Sequence, residues 1–367
     1  KVSLLSQSMV SLEHNSKVEV PDGTLDLLKA SIRPVILIGM HSVSESMQDK
    51  LKTLMTDFRC PVFTTYKAKG VIADNHPNLI GHFTGASSEL RLVERADLIV
   101  LIGVDPVELI PAPWQHDAPL IALSDIAIPK YPKDPAIRLS GTLEAAVGLL
   151  KTQFVKTAWA KTEIESIRIK LIESSKLNSK KSLSTQGVVD DVMLLVDENT
   201  SFTVDAGAHM VSVMNQIKVN KGKRVLKSTG LSTMGFALPA AIAKSLINPG
   251  ERVIAFTGDG GLLMCLAELS TAARLGCKIT VVVFNDGSLS LIDIKQQQRQ
   301  HKSIGVRYPE PDFCAAAVAL GCRAWKVSQN DSLIPILEDS LSFDGTSLVD
   351  ISIDPAGYVE QYARLRG

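Results

Sequence analysis

Residues 253–261 read Val-Ile-Ala-Phe-Thr-Gly-Asp-Gly-Gly, and residues 278–288 read Lys-Ile-Thr-Val-Val-Val-Phe-Asn-Asp-Gly-Ser. Each contains a short apolar run cut off by a glycine-bearing loop, which is how a buried strand reads. Residues 262–275, between them, read as a helix. A strand-helix-strand unit this short makes its strands parallel, and right-handed crossover brings both following loops to one edge of the sheet. Asp259 and Asp286 stand 27 positions apart, one in each loop. They are expected to converge at the carboxyl ends of neighbouring strands, where open α/β sheets take their ligands. Gly258, Gly260 and Gly261 leave backbone N–H groups open at the start of the helix, a seat suited to a diphosphate. Two hard oxygen ligands beside a diphosphate suit Mg²⁺, which completes its shell from phosphate oxygens.

The chain has 367 residues, room for two domains with their own cores. Thirty-nine basic residues balance thirty-nine acidic ones, so no charge surplus points to nucleic acid. The five cysteines (Cys60, Cys265, Cys277, Cys314, Cys322) form no CxxC pair, which reads as reduced thiols in a cytoplasmic protein. No apolar run has membrane-spanning length, and the first residues do not read as a signal peptide.

Working outward, strands and helices alternate twice, giving two parallel-sheet α/β domains. Residues 1–24 read as a linker or tail. In 25–155, strands are expected at 34–39, 60–65, 97–103 and 119–123, with helices at 44–58 and 87–95. Residues 156–184, rich in lysine and serine, read as a partly helical surface connector. The second domain, 185–367, opens with a helix over 185–196 that Ser184 caps. A strand over 201–204 then leads into Asp205-Ala-Gly-Ala-His209. A glycine-rich turn with an apolar helix covers 234–243, and a late strand covers 348–353.

These residues resemble a family. Gly258-Asp259-Gly260, the helix Ala267-Glu-Leu-Ser-Thr-Ala272, and Asn285-Asp286 together resemble the thiamine diphosphate signature. Gly230-Leu-Ser-Thr-Met-Gly-Phe-Ala-Leu-Pro-Ala-Ala241 resembles the stretch before it in acetolactate synthases and 2-oxo-acid decarboxylases. Residues 34–39 and 97–103 look like that branch's middle domain. The resemblance runs from about residue 25 to 360. It implies that Asp259, Asp286 and the Ser288 carbonyl ligate Mg²⁺. Gly258, Gly260 and Gly261 would take the diphosphate from one side, Gly207 and His209 from the other. Met234 would support the bent cofactor, Ser232 would accept from its aminopyrimidine, and Leu291 would line the reacting centre. Asp286 departs from the family, which usually has asparagine there, and so adds a negative charge. Read from the residues alone, Asp259 and Asp286 also suit turn positions, His209 a structural histidine and Met234 core filling. The flanking strands favour the site for the two aspartates.

The resemblance further implies decarboxylative chemistry on a 2-oxo acid, carried by the cofactor. The family's first domain, with the glutamate that protonates the pyrimidine, has no counterpart in residues 1–24. That catalytic group is therefore expected on a missing domain, and none is assigned here. The middle domain holds FAD in some relatives and ADP or nothing in others, so FAD stays open. Two functions follow: an acetolactate synthase-like carboligase or decarboxylase, or a non-catalytic cofactor-fold fragment or subunit. Either is expected to form a homo-oligomer or to pair with a pyrimidine-binding chain.

Overall fold

The computed structural model describes residues 18–110, 113–126, 130–154, 156–175, 183–329 and 331–366. The expectations for residues 1–17 and 176–182 lie outside these described residues. The first sheet contains β1 (Pro34–Ile38), β2 (Val62–Thr64), β3 (Leu79–His82), β4 (Leu98–Ile102), β5 (Leu120–Ser124) and β6 (Ile137–Ser140). The second contains β7 (Ser201–Val204), β8 (Val225–Lys227), β9 (Val253–Gly258), β10 (Ile279–Asn285), β11 (Arg323–Val327) and β12 (Ser347–Ser352). All neighbouring strands pair in parallel, in the orders β3-β2-β1-β4-β5-β6 and β11-β12-β10-β9-β7-β8. Central strands such as β1, β4 and β10 are buried along their whole length, because parallel sheets are covered on both faces. The fold is thus two α/β units, as the alternation of strands and helices implied.

In each sheet the chain builds one side first and then crosses to the other. The reversal falls between β1 and β4 in the first sheet and between β7 and β9 in the second. At such a point the loops diverge above and below the sheet and leave a crevice at its carboxyl edge.

Several elements differ from the sequence reading. The helix expected over 262–275 is two helices, Asp259–Cys265 and Glu268–Arg274. The first packs on β9 and β10 and the second on the helix Ala237–Ile247, so tertiary neighbours break a periodic run. The helix expected over 87–95 is only Ser87–Arg91. Glu45–Asp57 and Thr185–Leu195 start where Ser44 and Ser184 cap them, each hydroxyl accepting an N–H three residues on. Within the 156–184 stretch, helix Lys161–Ser175 lies along edge strand β3. Arg168 donates to the Leu79 and His76 carbonyls, and Leu171 fills the space left by Gly81. This segment covers a sheet edge as well as connecting.

Between the sheets, Asp74 accepts from Val219 N–H at 2.7 Å and donates its own N–H to the Val219 carbonyl at 3.1 Å. The same carboxylate lies 3.1 Å from the buried Lys69 ammonium, which also touches His82 Nε2 at 2.6 Å. All five cysteines are free. Among the described residues, no helix is long and apolar enough to cross a membrane.

Candidate active site at the second switch point

β9 and β10 run in register with Phe284 opposite Gly258, so the chain leaves both strands side by side. Asp259 and Asp286 do converge. One backbone N–H, that of Ser288, donates to Asp259 Oδ2 and to Asp286 Oδ1, each at 3.2 Å. Ser290 Oγ donates to the other Asp286 oxygen at 2.5 Å. An antiparallel bridge between Ser288 and Arg307 steadies this loop. It uses Leu289 N–H to the Val306 carbonyl and Tyr308 N–H to the Gly287 carbonyl, which leaves Ser288's own backbone groups out of the pairing. Burial pushes the Asp286 carboxyl up to about 6, and the Asp259 charge beside it adds to the rise. Burial raises Asp259 as well. Two acids held together out of water repel each other and make a good arrangement for a cation.

His209 comes in from the other side of the reversal, on the loop after β7. Its ring stacks on Phe284 at 5.4 Å between centroids and is buried, which lowers its pKa to about 4. Nε2 has no hydrogen-bond partner, and neither does Ser288 Oγ. A buried polar atom left unpaired costs ~1–3 kcal/mol, so two of them here mark a place shaped for a polar ligand.

The loop from Ser228 to Phe236 forms the next wall. Ser232 holds φ +48°, between Gly230 at +84° and Gly235 at +74°. A non-glycine residue in that region costs about 1 kcal/mol or more, and such strain clusters at functional sites. The loop is held by Asp205. Its carboxylate accepts from Gly235 N–H (3.1 Å), Phe236 N–H (2.7 Å), Ala237 N–H (3.0 Å) and Thr257 Oγ1 (2.7 Å). Asp205 thereby ties the start of the helix Ala237–Ile247 to the end of β9, and so Met234 to Asp259.

All eleven positions expected from the sequence line one cavity of about 320 Å³. They are Gly207, His209, Ser232, Met234, Gly258, Asp259, Gly260, Gly261, Asp286, Ser288 and Leu291. A second cavity of about 210 Å³ adjoins it and shares Gly207, Ser232, Leu291 and Lys295. Two glycines serve differently from expectation. Gly260 N–H is not open; it donates to Asp259 Oδ1 at 2.7 Å, since a carboxylate at a helix start folds back on the nearest free N–H. A Cβ on Gly261 would stand 2.3 Å from Asp205 Oδ2, so this glycine makes room for Asp205. A Cβ on Gly260 would meet Leu289 Cδ2 at 2.3 Å and Met234 Cε at 3.3 Å.

Sequence reasoning missed Asp205, Ser290, Lys295, Tyr308 and Tyr358. Lys295 stands four residues after Leu291 on the helix Ser290–Gln298, hence on the same face, and that spacing could have found it. The Tyr308 hydroxyl is buried beside Asp259, and nothing local in the sequence announces it.

Comparison with known proteins places both domains in one family. The description "Thiamine pyrophosphate enzyme, C-terminal TPP binding domain" matches residues 205–351, and "Thiamine pyrophosphate enzyme, central domain" matches residues 22–144. The acetolactate synthase of Bacillus subtilis (strain 168) is 27% identical over 335 residues, which are 88% of this chain and 58% of that protein. The catabolic acetolactate synthase of Raoultella terrigena is 28% identical over 357 residues, 91% of this chain and 63% of its own length. In Escherichia coli (strain K12) the acetolactate synthase isozyme 1 large subunit is 25% identical over 339 residues, 89% and 60% of the two chains. The chain thus spans about three-fifths of the length of these relatives. The two matched domains lie in tandem over two α/β units whose second switch point gathers the acidic and glycine positions of the signature, and by them the chain belongs to the thiamine pyrophosphate enzymes.

Proposed function

We propose that the second sheet's cavity holds thiamine diphosphate with Mg²⁺, and that the chain serves an acetolactate synthase-like carboligase or decarboxylase acting on a 2-oxo acid. The observation that carries this is the single Ser288 N–H shared by Asp259 and Asp286 at the end of the cavity where His209 Nε2 and Ser288 Oγ are unpaired. Among the described residues no three His, Cys, Asp or Glu side chains gather into a metal cluster. Mg²⁺ needs few protein ligands and would take Asp259, Asp286, the Ser288 carbonyl and diphosphate oxygens. When bound, thiamine diphosphate supplies the carbon nucleophile for decarboxylation of a 2-oxo acid. The protein's part is to seat the diphosphate near Gly260 and His209, to support the bend at Met234 and to offer the Ser232 carbonyl. Seating the diphosphate on Gly260 N–H requires Asp259 to release it, and a cation drawing on the carboxylate favours that exchange. Lys295 is the one lysine or arginine lining the two cavities among the described residues, and it would pair with the substrate carboxylate.

Among the described residues the lining contains no carboxyl group besides Asp259 and Asp286. A proton donor for the pyrimidine would therefore come from a facing chain or domain. Leu231 at 92% exposure and Met264 at 62% would be covered by it, which favours an oligomer or a pyrimidine-binding partner over an isolated catalyst. The relatives in Escherichia coli and Methanocaldococcus jannaschii are described as large subunits, which supports an assembly.

Calorimetry with thiamine diphosphate and Mg²⁺ tests the seat. The wild-type chain, supplied with a pyrimidine-binding domain from a relative, should bind both together. Asp259→Ala should lose on the order of 10²-fold or more in affinity, since even outer-shell partners of metal ligands cost about 10–100-fold. Equal affinity in the variant would sink the assignment.

A further inference from the structure

The first sheet has the same kind of switch point as the second, between β1 and β4, and it is where the family resemblance would put a nucleotide. Three loops meet there, those after β1, β2 and β4. Gly39 and Gly103 end the two strands, and the turn Pro106–Glu108 follows β4. What a nucleotide diphosphate would use at this place is backbone N–H groups converging on the crevice. Those groups are already engaged. Glu108 Oε2 accepts from Met40 N–H at 2.9 Å, after β1, and from Asp105 N–H at 3.3 Å, after β4. Its other oxygen accepts from the Thr65 hydroxyl at 2.5 Å, after β2. One carboxylate thus spans all three loops, and Asp105 completes the turn as a capping box by accepting from Val107 N–H at 2.9 Å.

The crevice is also narrow. A Cβ on Gly39 would stand 2.3 Å from Val104 Cα, and one on Gly103 would stand 2.6 Å from Ser42 Oγ. The strand-end glycines let the protein's own loops touch and leave no gap for a ligand between them. Meanwhile the turn reaches the other domain. A Cβ on Gly230 would stand 2.8 Å from Val107 Cγ2, so Val107 braces the loop that carries Ser232 and Met234.

We propose that the Glu108 carboxylate stands in for a nucleotide phosphate, so that the first sheet takes neither FAD nor ADP at its switch point and the closed turn braces the Ser232 loop instead. Two carboxylate oxygens satisfy the donors that phosphate oxygens would satisfy. Their negative charge, fixed among buried groups, repels a diphosphate. Displacing Glu108 would leave it buried and unpaired, which burial already penalises by raising its pKa.

The test uses the purified chain with saturating thiamine diphosphate and Mg²⁺ throughout, which keeps the second site constant. Flavin absorbance is read on the protein as isolated, and thermal denaturation is followed with added FAD, ADP or inorganic phosphate. Wild type should carry no flavin, and none of the three additions should move its melting temperature. Glu108→Ala frees the Met40 and Asp105 N–H groups, so the melting temperature of that variant should rise with ADP and with phosphate. A wild-type protein that carries flavin, or that ADP or FAD stabilises, overturns the proposal. So does a folded Glu108→Ala protein as indifferent to ADP and phosphate as wild type. Should Glu108→Ala fail to fold, Glu108→Gln decides instead: with the charge gone it should respond to ADP, and indifference there overturns the proposal equally.

Discussion

The two sheets are built to one plan and end differently at their carboxyl edges. Each has six parallel strands and one reversal of strand order, with glycines at the strand ends. At the first edge the protein's own carboxylates satisfy the loop N–H groups. Glu108 does so at the switch point, and Glu89 does so after β3, accepting from Thr84 N–H at 2.7 Å, Thr84 Oγ1 at 2.8 Å and Gly85 N–H at 3.2 Å. At the second edge Asp205 does the same work one layer below the surface. Above it, Asp259 and Asp286 crowd each other, and His209 Nε2 and Ser288 Oγ stay unpaired. A switch point makes a crevice in either case. Both edges hold an unpaired buried histidine nitrogen, His41 Nε2 (3.5 Å from Asp105 Oδ2) and His209 Nε2, and both engage loop N–H groups with carboxylates. The difference is that one carboxylate ties three loops together at the first edge, whereas two carboxylates crowd each other at the second.

If that contrast holds, removing the carboxylate should have different consequences at the two edges. Asp205→Ala strands several buried N–H donors and unties the Ser232 loop. It should cost several kcal/mol of stability, at about 1–3 kcal/mol for each buried donor left unsatisfied, and should weaken thiamine diphosphate binding as well. Glu108→Ala reaches the cofactor cavity only through the Val107 contact with the Ser232 loop, so it should weaken that binding much less than Asp205→Ala does. Denaturant titrations paired with calorimetry on both variants would distinguish them, and equal losses of cofactor affinity would end the comparison.

Glu89 offers a pH test of the self-satisfied edge. Burial raises its pKa from 4.5 to about 7. The folded chain then holds the proton more tightly than the unfolded chain does. Stability contributed by this group is complete below about pH 4.5 and is lost as pH rises towards about 7. Each pKa unit is worth about 1.36 kcal/mol, so the loss should be about 1–3 kcal/mol. Glu89→Gln cannot ionise. Its stability relative to wild type should improve as pH rises through that window, and a difference that stays flat with pH would refute the assignment.

Gly260 tests how closely the open edge fits its ligand. Gly260→Ala pushes a methyl group against Leu289 and towards Met234. It should cost about 1–3 kcal/mol, the usual range for overpacking, seen mainly as a ten- to hundredfold loss of cofactor affinity. Thermal melts without cofactor should change less than the affinity does. The smallest effect should come from Lys295→Met, with KM for the 2-oxo acid rising about tenfold and cofactor affinity unchanged. Steady-state kinetics on the assembled enzyme reads this directly.

Much of the molecule is legible in the residues, and what is missed follows a rule. Every central strand except β7 was bounded by its apolar run to within about two residues, and β7 was placed at 201–204 outright. The four strands not anticipated are β3, β6, β8 and β11, which are the four sheet edges. They read Leu-Ile-Gly-His, Ile-Arg-Leu-Ser, Val-Leu-Lys and Arg-Ala-Trp-Lys-Val. Edge strands are paired on one side only and mix polar with apolar residues, so composition marks them weakly.

For the site, local sequence was enough to place the two aspartates, the glycines, His209 and Leu291 on loops of one sheet edge, because strand period and crossover handedness are local or nearly local rules. Long-range contact decided the rest. Asp205 meets Gly235–Ala237 some thirty residues away, Tyr308 reaches Asp259 from beside the Ser288–Arg307 bridge, and Glu108 finds Met40 across 68 positions and three strands. Hydrogen bonds between residues so distant leave no periodicity to read. Tertiary packing alone determined that one carboxylate ties three loops together at the first crevice while two carboxylates crowd each other at the second.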